Sequence, residues 1–338
     1  MGKLLVVSDL HLSNKPNDQY RWDTLCQIEE EFKSGPYEAL LILGDLCTEK
    51  DRHCSQLVNE IVGFIRQMAA LKRVYILMGN HDYIERRYPF WSFLGLIPNV
   101  TYIQKSGVHR IDEFECYFIP HTKKFQDELT VASSCGTVFD LMLLHQTFEG
   151  SLVNKTFKLP GLPATTRFPA QLVLSGDVHM PQIVGRVMYV GSPYPTTFGE
   201  EHTGQMLVVE KVSGEPWVSS LPLDHIRKVT IGISCLAQLA DIDLHMGDHV
   251  KVQVSLRRSE FGSWLEMKQA IINWAEDKSV HLYGVTMVPV KERERVRLTN
   301  TPAKIVGGTT EVFDQFCNLN SHAGNLRKVG MELVAKVS

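Results

Sequence analysis

The chain reads as a layered α/β protein, and two observations predict it. From residue 1 to about 225, short runs rich in Val, Ile and Leu alternate with stretches of helical periodicity. Runs of four to six such residues suit strands buried on both faces of a parallel or sandwiched sheet. Five of these runs also end in residues able to bind a metal: Leu4–His11, Leu40–Asp45, Val74–Asn80, Leu141–His145 and Leu172–His179. In α/β sheets ligands sit just beyond the carboxyl ends of the strands. Asp9, His11, Asp45, Asn80, His81, His145, Asp177 and His179 are therefore expected on one rim, which is the pattern of a metalloenzyme.

The elements follow in order. After the first strand, Trp22, Leu25, Ile28 and Phe32 repeat every three to four residues and predict an amphipathic crossover helix. After the second, Leu57, Ile61, Phe64, Ile65 and Met68 predict another. Tyr117–Pro120 reads as a further short strand, and the Pro/Gly-bearing stretch 159–169 as a loop. Past Pro222 the texture changes. Val250, Val252, Val254 and Leu256 alternate with polar residues, giving a half-exposed strand. Ser263-Trp264-Leu265-Glu266 has capping-box spacing and opens a helix whose face carries Trp264, Met267, Ile271 and Trp274. A strand at Val280–Val290 completes a small β-α-β unit. The expected division is 1–225, 226–300 and a C-terminal segment 301–338 that either docks on the body or serves as a partner-binding arm.

Bulk properties narrow the classes. Hydrophobic residues make up 44% and charged residues 22%, as in an ordinary globular protein. A formal net charge of −3 gives no global attraction to nucleic acid, so any such contact needs a local basic surface. No apolar run approaches membrane-spanning length, and neither a signal-peptide nor a myristoylation pattern opens the chain. The seven cysteines form no CxxC pair and read as free thiols in a reducing cytosol.

The rim residues supply what a phosphoryl displacement needs. Two divalent ions about 3.5–4 Å apart can engage both attacking and leaving oxygens, given a bridging carboxylate and flanking His, Asp or Asn ligands. A proton donor for the leaving oxygen completes the set. Glycines before Asp45, Asn80 and Asp177 suit tight turns where backbone passes close to the cluster.

In order, the motifs Asp9-x-His11, Gly44-Asp45, Gly79-Asn80-His81-Asp82, His145 and Gly176-Asp177-x-His179 resemble those of the calcineurin-like metallophosphoesterase superfamily over residues 4–200. Leu144-His145-Gln146 and the segment Pro181–Glu200, with its GSP and FGE, are similar to the SbcD-type DNA-repair nuclease branch. The resemblance implies a four-layer αββα sandwich with a small β-α-β capping domain walling a DNA groove. It also implies exo- or endonuclease action on phosphodiesters and two divalent metal ions, with Mn²⁺ preferred and Mg²⁺ as the alternative. The partners it points to are DNA, an SbcC-type coiled-coil ATPase and a second copy of the chain, with no membrane. A compact, phage-encoded member of the branch would act in the host cytoplasm.

Carried over by position, Asp9, His11, Asp45 and His179 hold one ion. Asp45, Asn80, His145 and Asp177 hold the other, Asp45 bridging, and His81 protonates the departing 3′-oxygen. Asp82 is expected as a hydrogen-bond partner of ligands, and His121 as a surface or packed histidine. Two departures stand out. Thr48 replaces a His often found three residues after the bridging Asp, and Asp177 stands where the family usually has a neutral His.

One motif owes nothing to the resemblance. In 291–297, Lys291, Arg293, Arg295 and Arg297 alternate with other residues, so an extended strand places all four cations on one face. That stripe suits a phosphate backbone, or equally a solvated edge strand. Three functions remain in play: a Mn²⁺-dependent DNA nuclease, a phosphoesterase for small nucleotide-type substrates, and a repair or replication scaffold with a slow or vestigial centre.

Overall fold

The strand runs 3–7, 37–42, 73–77, 114–119 and 139–145 bury apolar residues on both faces, so each face needs a partner layer. The computed structural model describes residues 2–154 and 156–290. The strands are β1 (Lys3–Val7), β2 (Tyr37–Ile42), β3 (Arg73–Leu77), β4 (Val100–Ile103), β5 (Gly107–Ile111), β6 (Phe114–Ile119), β7 (Phe139–His145) and β8 (Ala170–Gly176). They continue with β9 (Gln182–Val184), β10 (Val187–Tyr189), β11 (Gln205–Val212), β12 (Glu215–Pro222), β13 (Lys228–Ile233), β14 (His249–Leu256) and β15 (His281–Pro289). The α-helices are α1 (Gln19–Ser34), α2 (Ser55–Leu71), α3 (Phe125–Ser134) and α4 (Trp264–Asp277).

Two six-stranded sheets run in the orders β12-β11-β1-β2-β3-β4 and β5-β6-β7-β8-β10-β9. β1 to β4 are mutually parallel, as are β6, β7, β8 and β10. Alternate residues then sort by face. Leu4, Val6, Leu41, Phe118, Leu143 and Leu174 fill the space between the sheets. Leu5, Val7, Leu40, Ile42 and Ile76 turn outward onto Ile28, Phe32, Ile61 and Ile65 of α1 and α2. Beyond the second sheet, Tyr117, Ile119, Met142 and Leu144 pack on Phe125 and Leu129 of α3. The layers are helix, sheet, sheet, helix, and each fully buried Leu or Ile stabilises them by about 1.5–3 kcal/mol. This stacking brings the carboxyl ends of β1, β2, β3, β7 and β8 to one shared rim.

A third sheet, β13-β14-β15, is wholly parallel. Its core joins Ile231, Val250, Val252 and Val254 to Ile271, Trp264, Met267 and Trp274 of α4. Two expectations need correction. The unit has a third strand, β13, in which Val229, Ile231 and Ile233 alternate with Thr230 and Gly232, a period-two pattern too short to stand out beside the longer run at Val250–Leu256. The capping box at Ser263 does not form. A 3₁₀ turn, Arg258–Ser263, precedes α4, Ser263 Oγ donates to Glu260 O (2.8 Å), and Glu260 instead accepts from Arg257 N (2.8 Å).

Met1–Val290 form one compact unit. The rest of the chain lies outside the described residues, and with it Lys291, Arg293, Arg295, Arg297 and the segment 301–338. Among the described residues no helix is long and apolar enough to cross a membrane. The six described cysteines are free.

Candidate metal centre

All seven candidate ligands lie at, or a few residues beyond, the carboxyl end of a buried strand. The turns that present them are unusual. Asp9, His11, Asp45 and Asp177 have φ of 53°, 42°, 55° and 79°. Asp, Asn and His are the side chains that best tolerate this left-handed region, and such conformations gather at functional sites. Gly44 and Gly79 are required by crowding: a Cβ on Gly44 would strike the His145 ring, and one on Gly79 would strike Asp45. Asp82, fully buried, ties the turns together by accepting from the backbone N–H of Asp45 (3.1 Å), Leu46 (3.1 Å) and Gly79 (2.6 Å).

The side chains converge in two adjoining groups, Asp9 with His11 and His179, and Asp9 with Asp45 and His145. In the first, His11 Nε2 and His179 Nε2 face each other at 3.0 Å, with Asp45 Oδ2 3.4 Å from His11 Nε2. In the second, His145 Nε2 lies 3.4 Å from Asp45 Oδ1 and 3.0 Å from Asn80 Oδ1. Asp45 thus presents one oxygen to each group. The Asn80 amide oxygen faces only acceptors, the Asp45 carboxylate and His145 Nε2. Lone pairs pointed at one another are what a cation satisfies, so the donor set fits divalent metal.

Asp177 stands slightly apart. Its Oδ1 is 3.8 Å from His145 Nε2, its Oδ2 accepts a short hydrogen bond from Thr147 Oγ1, and its N–H donates to Asp9 Oδ1 (3.1 Å). His81 is bound to both halves by its backbone and ring. Its N–H donates to Asp45 Oδ1 (2.8 Å), its Nδ1 meets Thr48 O (2.6 Å), and its ring centroid lies 4.9 Å from that of His11. His121 reaches the rim rather than the surface: Nδ1 bonds Tyr83 Oη (2.8 Å) and its ring centroid is 6.2 Å from that of His145.

Burial and charge set the protonation of the cluster. Burial pushes the His11 imidazole down to about 3, leaving it in the neutral form that ligates metals. Burial raises Asp9 to about 6 despite His145 and His179. For Asp45, burial is outweighed by the imidazoles of His145, His11 and His81, which hold the carboxyl well below its usual range. For His179, burial is outweighed by the Glu200 hydrogen bond and the Asp9 charge, which hold it at about 9. Metal binding displaces such protons.

Several residues the sequence left without a role complete the centre. Glu200, 4% exposed, takes His179 Nδ1 at 2.9 Å and is itself held by Thr196 N (2.6 Å) and Thr197 Oγ1 (2.9 Å). A carboxylate behind an imidazole fixes its tautomer and raises its basicity. His145 Nδ1 instead meets a neutral group, Leu43 O (2.6 Å). Ser8 Oγ braces Asp9 Oδ2 at 2.5 Å. Thr48 contributes its carbonyl to His81 and its hydroxyl to His11 O (3.0 Å). Arg21 donates to His11 O, Thr48 Oγ1 (3.0 Å) and Asp18 (3.1 Å). The available signal for Arg21 was its place on the apolar face of α1, four residues before Leu25.

Protein 244L of Invertebrate iridescent virus 6, a phosphoesterase by name, is 23% identical over 268 residues, covering 74% of this chain and 92% of its own. Protein 078R of Invertebrate iridescent virus 3, named likewise, is 26% identical over 228 residues, covering 61% of this chain and 62% of its own. Among solved structures, an archaeal phosphodiesterase aligns with 65% of this chain and 99% of its own at 13% identity (TM-score 0.36). Vacuolar protein sorting 29 of Cryptosporidium parvum aligns with 65% and 97% at 14% identity (TM-score 0.30). The profile of the calcineurin-like phosphoesterases matches residues 2–181, more than half of the sequence, and the chain belongs to that family.

Proposed function

We propose that this phosphoesterase is a two-metal-dependent DNA nuclease of the SbcD type, cutting phosphodiester bonds in repair, recombination or replication. The observation that carries the reading is the loop Thr196–Glu200, which joins the metal centre to the third sheet. On one side Glu200 orients His179. On the other, Phe198 packs on Tyr283 (ring centroids 5.1 Å apart) and under Lys251 Nζ (4.2 Å), while Lys228 Nζ donates to Thr196 O (2.8 Å). A second wall tied this directly to a ligand suits a long polymeric substrate, whereas a small diester needs none.

In this reading Asp9, His11, Asp45 and His179 hold one ion, and Asp45, Asn80, His145 and Asp177 the other. When bound, two divalent ions supply charge against the phosphodiester oxygens and activate the attacking water. Asp177 adds an oxygen ligand in place of an imidazole, which favours Mn²⁺ or Mg²⁺ over Zn²⁺. His81 supplies the proton for the departing 3′-oxygen. Thr48 O engages its Nδ1–H, so Nε2 is the atom free to act. Arg21 and Thr48 keep the His11 backbone in place while that proton moves. An SbcC-type coiled-coil ATPase is the partner that accompanies the reading, and co-purification with such a subunit tests it.

Hydrolysis of linear duplex, single strands and bis-p-nitrophenyl phosphate under Mn²⁺ and Zn²⁺ tests the activity. The reading expects Mn²⁺-dependent DNA cleavage, weak with Zn²⁺. Hydrolysis of the small diester alone would make the chain a phosphoesterase for small nucleotides. Turnover of neither substrate would leave a scaffold with a vestigial centre.

A further inference from the structure

An open pocket of about 620 Å³ lies beyond the carboxyl end of β4, lined by Arg86, Arg87, Gln104, Lys105, Ser106 and Glu128. Its position follows from the fold. β4 runs parallel to β3 with Ile103 opposite Leu77, and Met78 N–H donates to Ile103 O (3.0 Å). Gln104–Ser106 therefore leave the sheet beside the turn that presents Asn80 and His81. The second half of the pocket comes from a loop closed at its base by Phe90 N–H donating to Asp82 O (3.0 Å), with Arg86 and Arg87 at its far end. That base holds Asp82, under the metal centre, and Tyr83, bonded to His121 on the rim. The pocket and the centre thus share one loop and one edge of the sheet.

Most of its charge is unpaired, although the Arg87 guanidinium lies over the Tyr88 ring (5.4 Å to the centroid). Three cations face one carboxylate, and the only ion pair among them, Arg86 Nη1 to Glu128 Oε1, is long at 3.9 Å. Arg86 Nε and Ser106 Oγ are buried atoms that find no hydrogen-bond partner among the described residues. Leaving buried donors unpaired is costly. Three cations against one carboxylate suit an oxyanion, and the planar fork of the partly exposed Arg86 side chain matches phosphate.

We propose that Arg86, Arg87, Lys105 and Ser106 form a subsite for a phosphate of the nucleic-acid strand flanking the one being cut. The inference rests on the nuclease reading and deepens it: the subsite makes a polynucleotide a better substrate than an isolated diester. Arg86 and Ser106 bond the phosphate oxygens, while Arg87 and Lys105 supply charge at the pocket mouth.

The test compares wild type with the triple variant Arg86→Gln/Arg87→Gln/Lys105→Gln, and with Glu128→Gln, after melting curves and Mn²⁺ binding confirm intact folds. The substrates are a single-stranded oligonucleotide and bis-p-nitrophenyl phosphate. The triple variant should lower the ratio of kcat/KM for oligonucleotide over small diester by at least about tenfold, through KM. Its log–log salt dependence of oligonucleotide binding should flatten by about 0.7 per lost contact. Glu128→Gln should tighten oligonucleotide binding. If wild type cuts the oligonucleotide while the ratio and slope are the same in the triple variant, the subsite is wrong and the nuclease reading stands. If wild type cuts only the small diester, the nuclease reading fails and the subsite falls with it.

Discussion

The two halves of the metal centre are built differently behind the same kind of ligand. In the first, His179 is backed by a buried carboxylate, Glu200, which burial would raise but which the His179 hydrogen bond and the Thr196–Thr197 donors hold down at about 2. In the second, His145 is backed by the neutral Leu43 carbonyl, and Asp177 already shares its carboxylate with Thr147. A charged backing raises the basicity of an imidazole ligand, and a neutral one leaves it weaker. On the proposed assignment of two ions, the carboxylate behind His179 should make the first half the tighter site. The contrast is tempered because burial of His145 is outweighed by Asp45, Asp9 and Asp177, which also hold that imidazole well above its ordinary value. Asp45 presents an oxygen to both, and His81 touches both through Asp45 and the His11 ring.

The largest break in that comparison comes from the shared residue. Asp45→Ala removes a carboxylate oxygen from each half, so activity should fall to background while the melting temperature stays near wild type. Appreciable Mn²⁺-dependent hydrolysis by this variant would show that the halves do not depend on a shared anion. His81→Ala should cost about 10²–10⁴-fold in turnover, the range for general acid catalysis. Its Mn²⁺ content should be that of wild type, and parallel loss of metal and activity would make His81 a structural support.

Substitutions behind the ligands sharpen the contrast. Glu200→Gln should weaken one of two Mn²⁺ sites by about 10–100-fold, the usual effect of losing a carboxylate behind a ligating histidine. Thr147→Val frees Asp177 of a competing donor and should alter the other site by less than that. Equal effects on both sites in calorimetric titrations would erase the asymmetry.

The smallest effect concerns Lys228, which is 6% exposed and rests on Thr196 O behind Glu200. Burial, with the nearby Arg21 charge, pulls its ammonium from the ordinary 10.5 down to about 8. Between these values the unfolded chain binds the proton more firmly than the folded one, so folding releases it and stability rises with pH. Wild type should gain melting temperature relative to Lys228→Met from pH 8 to 10. A gap independent of pH would mean that Lys228 is solvated.

Much of this architecture was legible because burial on two faces forces continuous apolar runs, as in Leu4–Val7 and Leu40–Ile42, and the rim then follows from strand direction. The ligand candidates were legible because each ends such a run. What escaped is what period and run length do not encode. β13 is short, its alternation resting on Val229, Ile231 and Ile233 alone, and the 3₁₀ turn before α4 displaced a capping box that its spacing alone suggested. Arg21 and Glu200 act through backbone and imidazole partners brought together only by the fold, Glu200 from 21 residues beyond His179. Thr48 looked like a loss because a His was expected, yet its carbonyl, which any residue would carry, positions His81. The pull of Thr147 on Asp177 is likewise a tertiary fact, set by β7 and β8 lying side by side.

The most direct test of the account is an anomalous-scattering map from crystals of this protein grown with Mn²⁺. The account predicts two peaks, one against His11 and His179 and one against Asn80 and His145, with an oxygen of Asp45 touching each. A single peak, or two peaks that do not share Asp45, would contradict it.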